Sequence, residues 1–307
     1  MTQVTNPTAP ASSVPNSQGG LDIKGTAGDN RLNGSSGNDS ITTFGSGNDI
    51  IDGGLGNDYI ATGSGNDTIC PSPGNDTIFA GKGDDVVDGG DGNDVLYGDI
   101  GNDTVSGSAG DDLIYGDSRD PRFAGRGGND VISGGDGNDT VIAGVGQDIV
   151  NGDAGNDVLW GGKGLDTVNG GAGNDFISGD LGNDLLAGGA GNDTFFFASA
   201  GGSWGVDTIT DFTAGEDKIR LGVQPVKGSG GISGTASAFA VLGNTFDASE
   251  FVVVSGFNSS SPAADTKNKV IYDSASGVLY FNNSGTVLTV AQLTPGLTLT
   301  TNNFELF

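Results

Sequence analysis

A nine-residue repeat runs through most of this 307-residue chain and restricts the folds that it can adopt. One regular copy, residues 89–97, reads GGDGNDVLY, and copies follow one another from Gly25 to Phe197. When the residues of a copy are numbered one to nine, position six is Asp in 17 of 19 copies and position eight is apolar in all 19. A fixed short period of this kind is typical of solenoids, in which each repeat packs only on its neighbours.

Positions seven to nine alternate outward, inward and outward, as in a β-strand, and the glycine-rich positions one to six predict a turn. Two copies then make one coil with two short strands, and coils stack about 4.8 Å apart. We therefore expect an all-β fold, a right-handed parallel β-roll with two facing sheets and a small C-terminal β domain. The position-eight side chains form its core.

Aspartate is the residue type in greatest excess over its usual partners. The chain holds 36 Asp but 3 Glu, 12 Lys and Arg together, and no His, and its net charge is −27. Stacked carboxylates about 4.8 Å apart repel each other, and one apolar residue in nine cannot offset the cost of ordering a glycine-rich backbone. A cation is therefore required, and carboxylate and carbonyl oxygens are the ligands that Ca²⁺ prefers.

The same composition excludes several functions. Without His the chain has no His-ligated metal site and no Ser-His-Asp or Cys-His nucleophile. The acidic charge argues against binding to nucleic acid or anionic membranes, and no apolar run is long enough to cross a bilayer. We expect no enzymatic activity, because the Asp pairs form a periodic array and no catalytic constellation remains.

The predicted metal ligands are the position-six carboxylates. With copy 116–124 counted as a coil, Pro121 interrupts one row of carboxylates between Asp103 and Asp139, and we expect about 14 Ca²⁺ sites in the roll. Arg119 or Arg122 is then the expected substitute for the missing ion, paired with a nearby turn carboxylate. The predicted ligands are Asp39, Asp49, Asp58, Asp67, Asp76, Asp85, Asp94, Asp103, Asp112, Asp130, Asp139, Asp148, Asp157, Asp166, Asp175, Asp184 and Asp193.

From Gly25 to Phe197 these repeats resemble the RTX, or haemolysin-type calcium-binding, nonapeptide family. The resemblance implies a Ca²⁺ ion between turns n and n+2, held by position-six carboxylates and turn carbonyls. After the repeats, residues 194–221 resemble the segment that closes such rolls, where Asp207, Asp211 and Asp217 either bind further Ca²⁺ or only cap the roll. Residues 269–281 predict a hairpin similar to one that follows many RTX arrays. The expected organisation is an extended N-terminal segment (1–24), the roll (25–197), its cap (198–221), a linker (222–235) and a β-rich domain (236–307).

The residues at both ends bear on export. The N-terminus lacks the basic start and apolar core of a secretory signal peptide, whereas the end of the chain, Asn302–Phe307, resembles a type I secretion signal. We therefore expect a bacterial protein that a type I exporter secretes unfolded and that folds on Ca²⁺ at the cell surface or outside the cell.

The expected function is that of a stand-alone calcium-folded structural protein of a surface layer, sheath, fibre or matrix. A non-catalytic secretion and folding module of an RTX exoprotein and a calcium-dependent adhesin are the alternatives. Phe79, Tyr97 and Tyr115 recur at every second repeat and predict an aromatic ladder, with Val131 and Ile149 on the same face. This ladder either joins copies in an assembly, is covered by another segment of the chain, or is only local stacking.

Overall fold

The computed structural model describes residues 12–70, 73–119, 125–198, 205–222, 251–256, 269–283 and 286–306. They belong to two compact units, divided after Val158. These residues form 27 β-strands and one short 3-10 turn, Thr301–Asn303, and contain no α-helix. Within the same residues, no helix is long and apolar enough to span a membrane.

The first unit contains fifteen strands. They are β1 (Ser12–Pro15), β2 (Gly19–Lys24), β3 (Arg31–Ser35), β4 (Asn38–Thr42), β5 (Ile50–Gly54), β6 (Tyr59–Ala61), β7 (Thr68–Ile69), β8 (Thr77–Phe79), β9 (Val86–Asp91), β10 (Val95–Asp99), β11 (Thr104–Ala109), β12 (Leu113–Asp117), β13 (Val131–Asp136), β14 (Thr140–Gly146) and β15 (Ile149–Ala154).

These strands alternate between two sheets, as a coil of two repeats requires. The even-numbered strands form one parallel sheet, with β1 added antiparallel at its edge beside β2, and the odd-numbered strands from β3 form the other. A regular repeat pairs with the copy after next, so Val95 of β10 lies beside Leu113 of β12. The predicted parallel β-roll is therefore confirmed.

The second unit holds the remaining strands. They are β16 (Val158–Gly164), which begins at the boundary, β17 (Thr167–Ala172), β18 (Phe176–Gly182), β19 (Leu185–Ala190), β20 (Thr194–Ala198), β21 (Asp207–Ile209), β22 (Lys218–Gly222), β23 (Phe251–Val254), β24 (Lys269–Asp273), β25 (Val278–Asn283), β26 (Thr286–Gln292) and β27 (Phe304–Leu306).

The chain after the repeats extends both sheets of the second unit. Strand β22 pairs with β20 and then with β27, and Glu305 of β27 forms an ion pair of 2.6 Å with Lys218. Strands β19, β21 and β26 pair in parallel, and β26, β25 and β24 continue antiparallel. The predicted hairpin is confirmed in β24 and β25, and it turns at Gly277 with a φ of +79°.

The core consists of the position-eight side chains. Every described one, from Leu32 to Phe195, is at most 5% exposed, whereas Phe123 lies outside the described residues. The roll also starts earlier than the repeat pattern, because Ile23 of β2 is buried and lies beside Ile41 of β4. Asp is absent from the turn before β2, which is why the repeat pattern does not include it.

The prediction that copy 116–124 forms a coil is wrong. Strand β11 pairs directly with β13, and β12 with β14, so the register advances by three repeats there instead of two. A proline has no N–H group and no carboxylate to add to such a stack, and the pairing passes directly from β11 to β13. As a consequence Val131 and Ile149 lie on the sheet of Thr104, and the prediction that they share a face with Tyr97 is wrong.

Candidate metal-binding turns

The position-six aspartates line both edges of the roll, in the turns that precede the strands. All seventeen predicted ligands are buried, with at most 4% of their surface exposed. Because apolar side chains fill only the space between the sheets, the turn glycines and these carboxylates make up the packed edges.

One carboxylate oxygen of each ladder residue is engaged by the backbone of the neighbouring coil. The N–H of Asp76 donates to Oδ1 of Asp94 at 2.7 Å, and the N–H of Asp94 donates to Oδ1 of Asp112 at 2.7 Å. In the first unit these bonds link one row of Asp39, Asp58, Asp76, Asp94, Asp112, Asp139 and Asp157, and a second row of Asp49, Asp67, Asp85, Asp103, Asp130 and Asp148. In the second unit they link Asp166, Asp184 and Asp207, and Asp175, Asp193 and Asp217.

This order changes the predicted rows. Asp103 bonds to Asp130 and Asp112 to Asp139, so neither row has the gap that was expected at Pro121. The predicted substitution by arginine is therefore wrong for Arg119, whose guanidinium lies 4.9 Å over the Tyr115 ring. Arg122 lies outside the described residues.

The second oxygen, Oδ2, points into the turn without a hydrogen-bond partner. It is buried and unpaired in Asp58, Asp76, Asp85, Asp94, Asp103, Asp112, Asp130, Asp139 and Asp193, among others. The position-one glycines keep the space beside it open. A Cβ added to Gly98 would lie 2.6 Å from Oδ2 of Asp103 and 2.6 Å from the carbonyl oxygen of Gly116 on the next coil.

The position-four glycines allow the coils to approach each other closely. Gly92 has a φ of +141°, and a Cβ at this residue would overlap the carbonyl oxygen of Gly74. Both the backbone conformation and the contact therefore exclude other residues. The glycine pattern thus keeps unpaired carboxylate oxygens and carbonyl oxygens together in a space free of side chains.

The metal-free turns are electrostatically unfavourable at neutral pH. Burial raises the pKa of Asp85 and of Asp130 to about 8, although the N–H of the neighbouring coil opposes the change. Burial also raises the pKa of Asp94 and Asp103 to about 7, and neighbouring carboxylates add to the effect. The folded edges therefore need a proton or a bound cation at these four carboxylates.

The donor set fits a hard divalent cation. Among the described residues, no three Asp, Glu, His or Cys side chains are placed to hold one metal ion together, so a metal at these turns must take carbonyl oxygens as well as carboxylates. Mixed carboxylate and carbonyl ligation is characteristic of Ca²⁺. The Oδ2 atoms of position six and the carbonyls of the adjacent turns would hold it, and the ion would neutralise the buried carboxylates.

The two ends of the array differ from its centre. Both oxygens of Asp39 accept hydrogen bonds, from the N–H groups of Leu21 and Ser35 among others. In the cap, Asp211 accepts the N–H groups of Gly188 and Gly189, so its carboxylate serves as a cap for the backbone. Asp207 and Asp217 instead take ladder positions beside Asp184 and Asp193. Calcium binding by the cap stays a prediction.

A second polar ladder runs outside the first and was not predicted. Position five is Asn in 13 of the 19 copies. The N–H of Asn75 donates to the side-chain oxygen of Asn57 at 3.1 Å, and the N–H of Asn93 to that of Asn75 at 3.2 Å. The recurrence of Asn in the sequence is the signal that could have identified it.

The predicted aromatic ladder is present on the even-numbered sheet. The rings of Phe79 and Tyr97 lie 4.5 Å apart at an angle of 5°, and those of Tyr97 and Tyr115 lie 4.9 Å apart at 4°. Tyr59 contacts Phe79 at one end, and Arg119 covers Tyr115 at the other. The rings therefore stack on one another, as local cross-strand stacking predicts.

A parallel roll whose edges carry buried carboxylates defines a calcium-binding solenoid. A model of the RTX calcium-binding nonapeptide repeat matches residues 22–43, 45–69, 72–105, 97–118, 124–159 and 160–195, more than half of the chain. The chain therefore belongs to this RTX repeat family, whose repeats bind calcium, are generally non-catalytic and typically occur in extracellular proteins.

The comparisons with individual curated sequences and solved structures show less than the family model does. No curated protein sequence matches the chain. Among 33 matching chains of solved structures is a subunit of the Azotobacter vinelandii mannuronan C5-epimerase, solved in solution. It is 24% identical, and the match covers 56% of this chain and 79% of that subunit with a TM-score of 0.19. A TM-score this low carries no argument about fold or activity.

Proposed function

We propose that this chain is a secreted, non-catalytic structural protein that folds on Ca²⁺ outside the cell and contributes to a bacterial surface layer, sheath, extracellular fibre or matrix. The observation that carries the proposal is the buried row of position-six carboxylates, in which Oδ2 has no partner in residues such as Asp76, Asp94 and Asp112. At neutral pH such rows oppose folding until cations neutralise them.

The need of the buried carboxylates for cations couples folding to export. Extracellular calcium-binding modules typically have dissociation constants of roughly 10⁻⁴ to 10⁻³ M, far above cytosolic Ca²⁺ concentrations. The chain would then stay unfolded inside the cell, pass through a type I exporter, and fold when it meets Ca²⁺ outside. The proposed ligands are the seventeen position-six aspartates. The number of about 14 ions assumed a gap at Pro121 that the carboxylate rows do not have, so the number of ions in the roll is left to calorimetric counting.

Circular dichroism of the purified chain tests calcium-dependent folding. In EGTA we expect a coil spectrum, and millimolar Ca²⁺ should produce a cooperative β-sheet signal. Mg²⁺ at the same concentration serves as the control, because its small octahedral shell fits these carbonyl-rich turns poorly. A β-roll that persists unchanged in EGTA at neutral pH would contradict the proposal.

Electron microscopy with and without Ca²⁺ tests the structural role. We expect ordered assemblies only with Ca²⁺, and we place one contact on the face of Phe79, Tyr97 and Tyr115. A variant with Tyr97→Ser and Tyr115→Ser should then fold on Ca²⁺ and assemble poorly. A chain that folds but stays monomeric at all concentrations would instead favour the secretion and folding module.

A further inference from the structure

The irregular stretch between β12 and β13 contains the parts of one regular turn. Deletion of the nine residues Arg119–Gly127 would leave residues 116–118 and 128–133, which together read GDSGNDVIS. This sequence has glycine at positions one and four, Asp at position six and an apolar residue at position eight. It matches the neighbouring copy at residues 98–106, GDIGNDTVS, at six of nine positions.

The geometry of the two parts is that of an uninterrupted turn. A Cβ at Gly116 would contact Oδ2 of Asp130 and the carbonyl oxygen of Ala143, the same surroundings that Gly98 has in its own turn. In regular copies position one lies five residues before the aspartate, whereas Gly116 lies fourteen residues before Asp130. The nine-residue difference is the length of the insertion.

The other positions of this turn are also in place. The N–H of Ser118 donates to the carbonyl of Asp99 at 3.2 Å, as the N–H of Ile100 donates to Gly81 in the regular turn before it. The N–H of Asn129 donates to the side chain of Asn102 at 2.9 Å and continues the position-five ladder. Ser118 and Asn129 therefore occupy positions three and five.

The carboxylate at position six is ready for a cation. Asp130 is 1% exposed, its Oδ1 accepts the N–H of Asp103 at 2.9 Å, and its Oδ2 has no hydrogen-bond partner. This is the arrangement of Asp94 and Asp103 in regular turns.

Asp117, at position two, accepts a hydrogen bond from the next coil at the point where the chain leaves the turn. In regular turns the N–H of position three donates to the backbone carbonyl of position two on the preceding coil, as Lys82 does to Gly63 at 3.1 Å. Here the N–H of Val145 donates instead to Oδ2 of Asp117 at 2.6 Å. The side chain thus takes the place of a backbone acceptor.

We propose that Gly116–Ser118 and Gly128–Asp130 form one complete calcium-binding turn that is interrupted by the insertion Arg119–Gly127, with Asp117 as the positioning residue that holds the next coil against it. The proposal rests on the calcium-dependent folding proposed above. It gives positions one to three of the Asp130 turn to Gly116–Ser118 and not to the contiguous residues 125–127, and it makes the insertion dispensable for folding.

Deletion of the insertion tests this directly. Calorimetric titration of Ca²⁺ into the chain lacking residues 119–127 should give the same number of bound ions as the full chain. The matched control lacks residues 89–97, an authentic nonapeptide of equal length, and should bind one ion fewer. A loss of one or more ions in the first variant, with the control folded, would overturn the proposal.

Two further variants keep the test decisive if the deletion folds poorly. A chain whose insertion is replaced by nine Gly and Ser residues should retain the ion count and the circular dichroism of the full chain, and loss of either would overturn the proposal. Asp117→Ala should raise the unfolding equilibrium constant in Ca²⁺ roughly tenfold in the full chain, because it removes a charged acceptor.

The effect of Asp117→Ala separates positioning from general instability. In the chain without residues 119–127, the backbone carbonyl of residue 117 can accept the N–H of Val145. Asp117→Ala should therefore change the unfolding equilibrium constant of that chain less than twofold. An equal effect in both chains would contradict the positioning role. If the full chain does not fold when Ca²⁺ is added, the proposed function is wrong as well as the assignment of this turn.

Discussion

Replacement of one ladder carboxylate separates its two roles. In Asp94→Asn the side-chain oxygen can still accept the N–H of Asp76, which lies 2.7 Å from Oδ1. The second oxygen, which is buried and unpaired, becomes an NH₂ group that cannot bind a cation. The substitution therefore removes a metal ligand and one buried charge while it keeps the hydrogen-bonded ladder.

The two losses have opposite effects on stability. At about 10 mM Ca²⁺, a site with a dissociation constant of ~10⁻⁴ to 10⁻³ M contributes about 1.4 to 2.7 kcal/mol to folding, which Asp94→Asn should remove. Without Ca²⁺ the same substitution relieves repulsion of up to about 0.9 kcal/mol per neighbouring carboxylate at 4.8 Å in water. The variant should thus be less stable with Ca²⁺ and no less stable in EGTA.

Calcium titration followed by circular dichroism, together with calorimetric ion counting, measures both effects. Asp91→Asn is the matched control, because Asp91 is an exposed residue of the same turn and loses the same charge. We expect one ion fewer and a higher Ca²⁺ midpoint for Asp94→Asn only. Equal midpoints and ion counts for the two variants would refute the assignment of Oδ2 as a ligand.

Two other predictions follow from burial. The pKa of Asp85 is raised to about 8 and that of Asp94 to about 7, from the ordinary value of 3.8, so without Ca²⁺ the folded chain binds more protons than the unfolded chain. The bound protons therefore stabilise the Ca²⁺-free fold at low pH, and this stabilisation is lost as the pH rises through these pKa values. In EGTA the β-sheet signal should therefore grow from pH 8 to pH 5, and the Ca²⁺ midpoint should rise over the same change; a metal-free spectrum independent of pH would contradict this. In Ca²⁺, Leu96→Ala should cost ~2–5 kcal/mol in urea unfolding because Leu96 is fully buried, whereas Leu55→Ala, at a residue 52% exposed, should change stability by less than about 0.5 kcal/mol.

The coil and its core could be predicted because one period fixes both. A strand of three residues and a turn of six place every position-eight side chain inside, and the described ones from Leu32 to Phe195 are buried. Position six could be predicted for the same reason, since stacked carboxylates have no other physical explanation than a cation or a proton.

The interruption at Pro121 could not be predicted from periodicity alone. Residues 116–124 have the length of one repeat, so the sequence stays in register whether nine residues here form half a coil or leave the stack. Only pairing distinguishes the two, and the step of three repeats between the paired Thr104 and Val131 shows which one forms. Because one half-coil is omitted, the later repeats of the first unit exchange edges, and Val131 and Ile149 change sheets with them.

The excess of Asp over Glu follows from the two contacts of each position-six carboxylate. Oδ1 must reach the N–H of the adjacent coil, as Asp112 does for Asp94 at 2.7 Å, while Oδ2 stays beside the position-one glycine of its own turn. A side chain with one more methylene group would move both oxygens past these partners, because the spacing of the coils is fixed by backbone pairing. Repulsion alone would be the same for Glu, so charge does not explain why the chain has 36 Asp and 3 Glu. The bias records a geometric requirement, in which a backbone hydrogen bond orients each carboxylate before any cation binds.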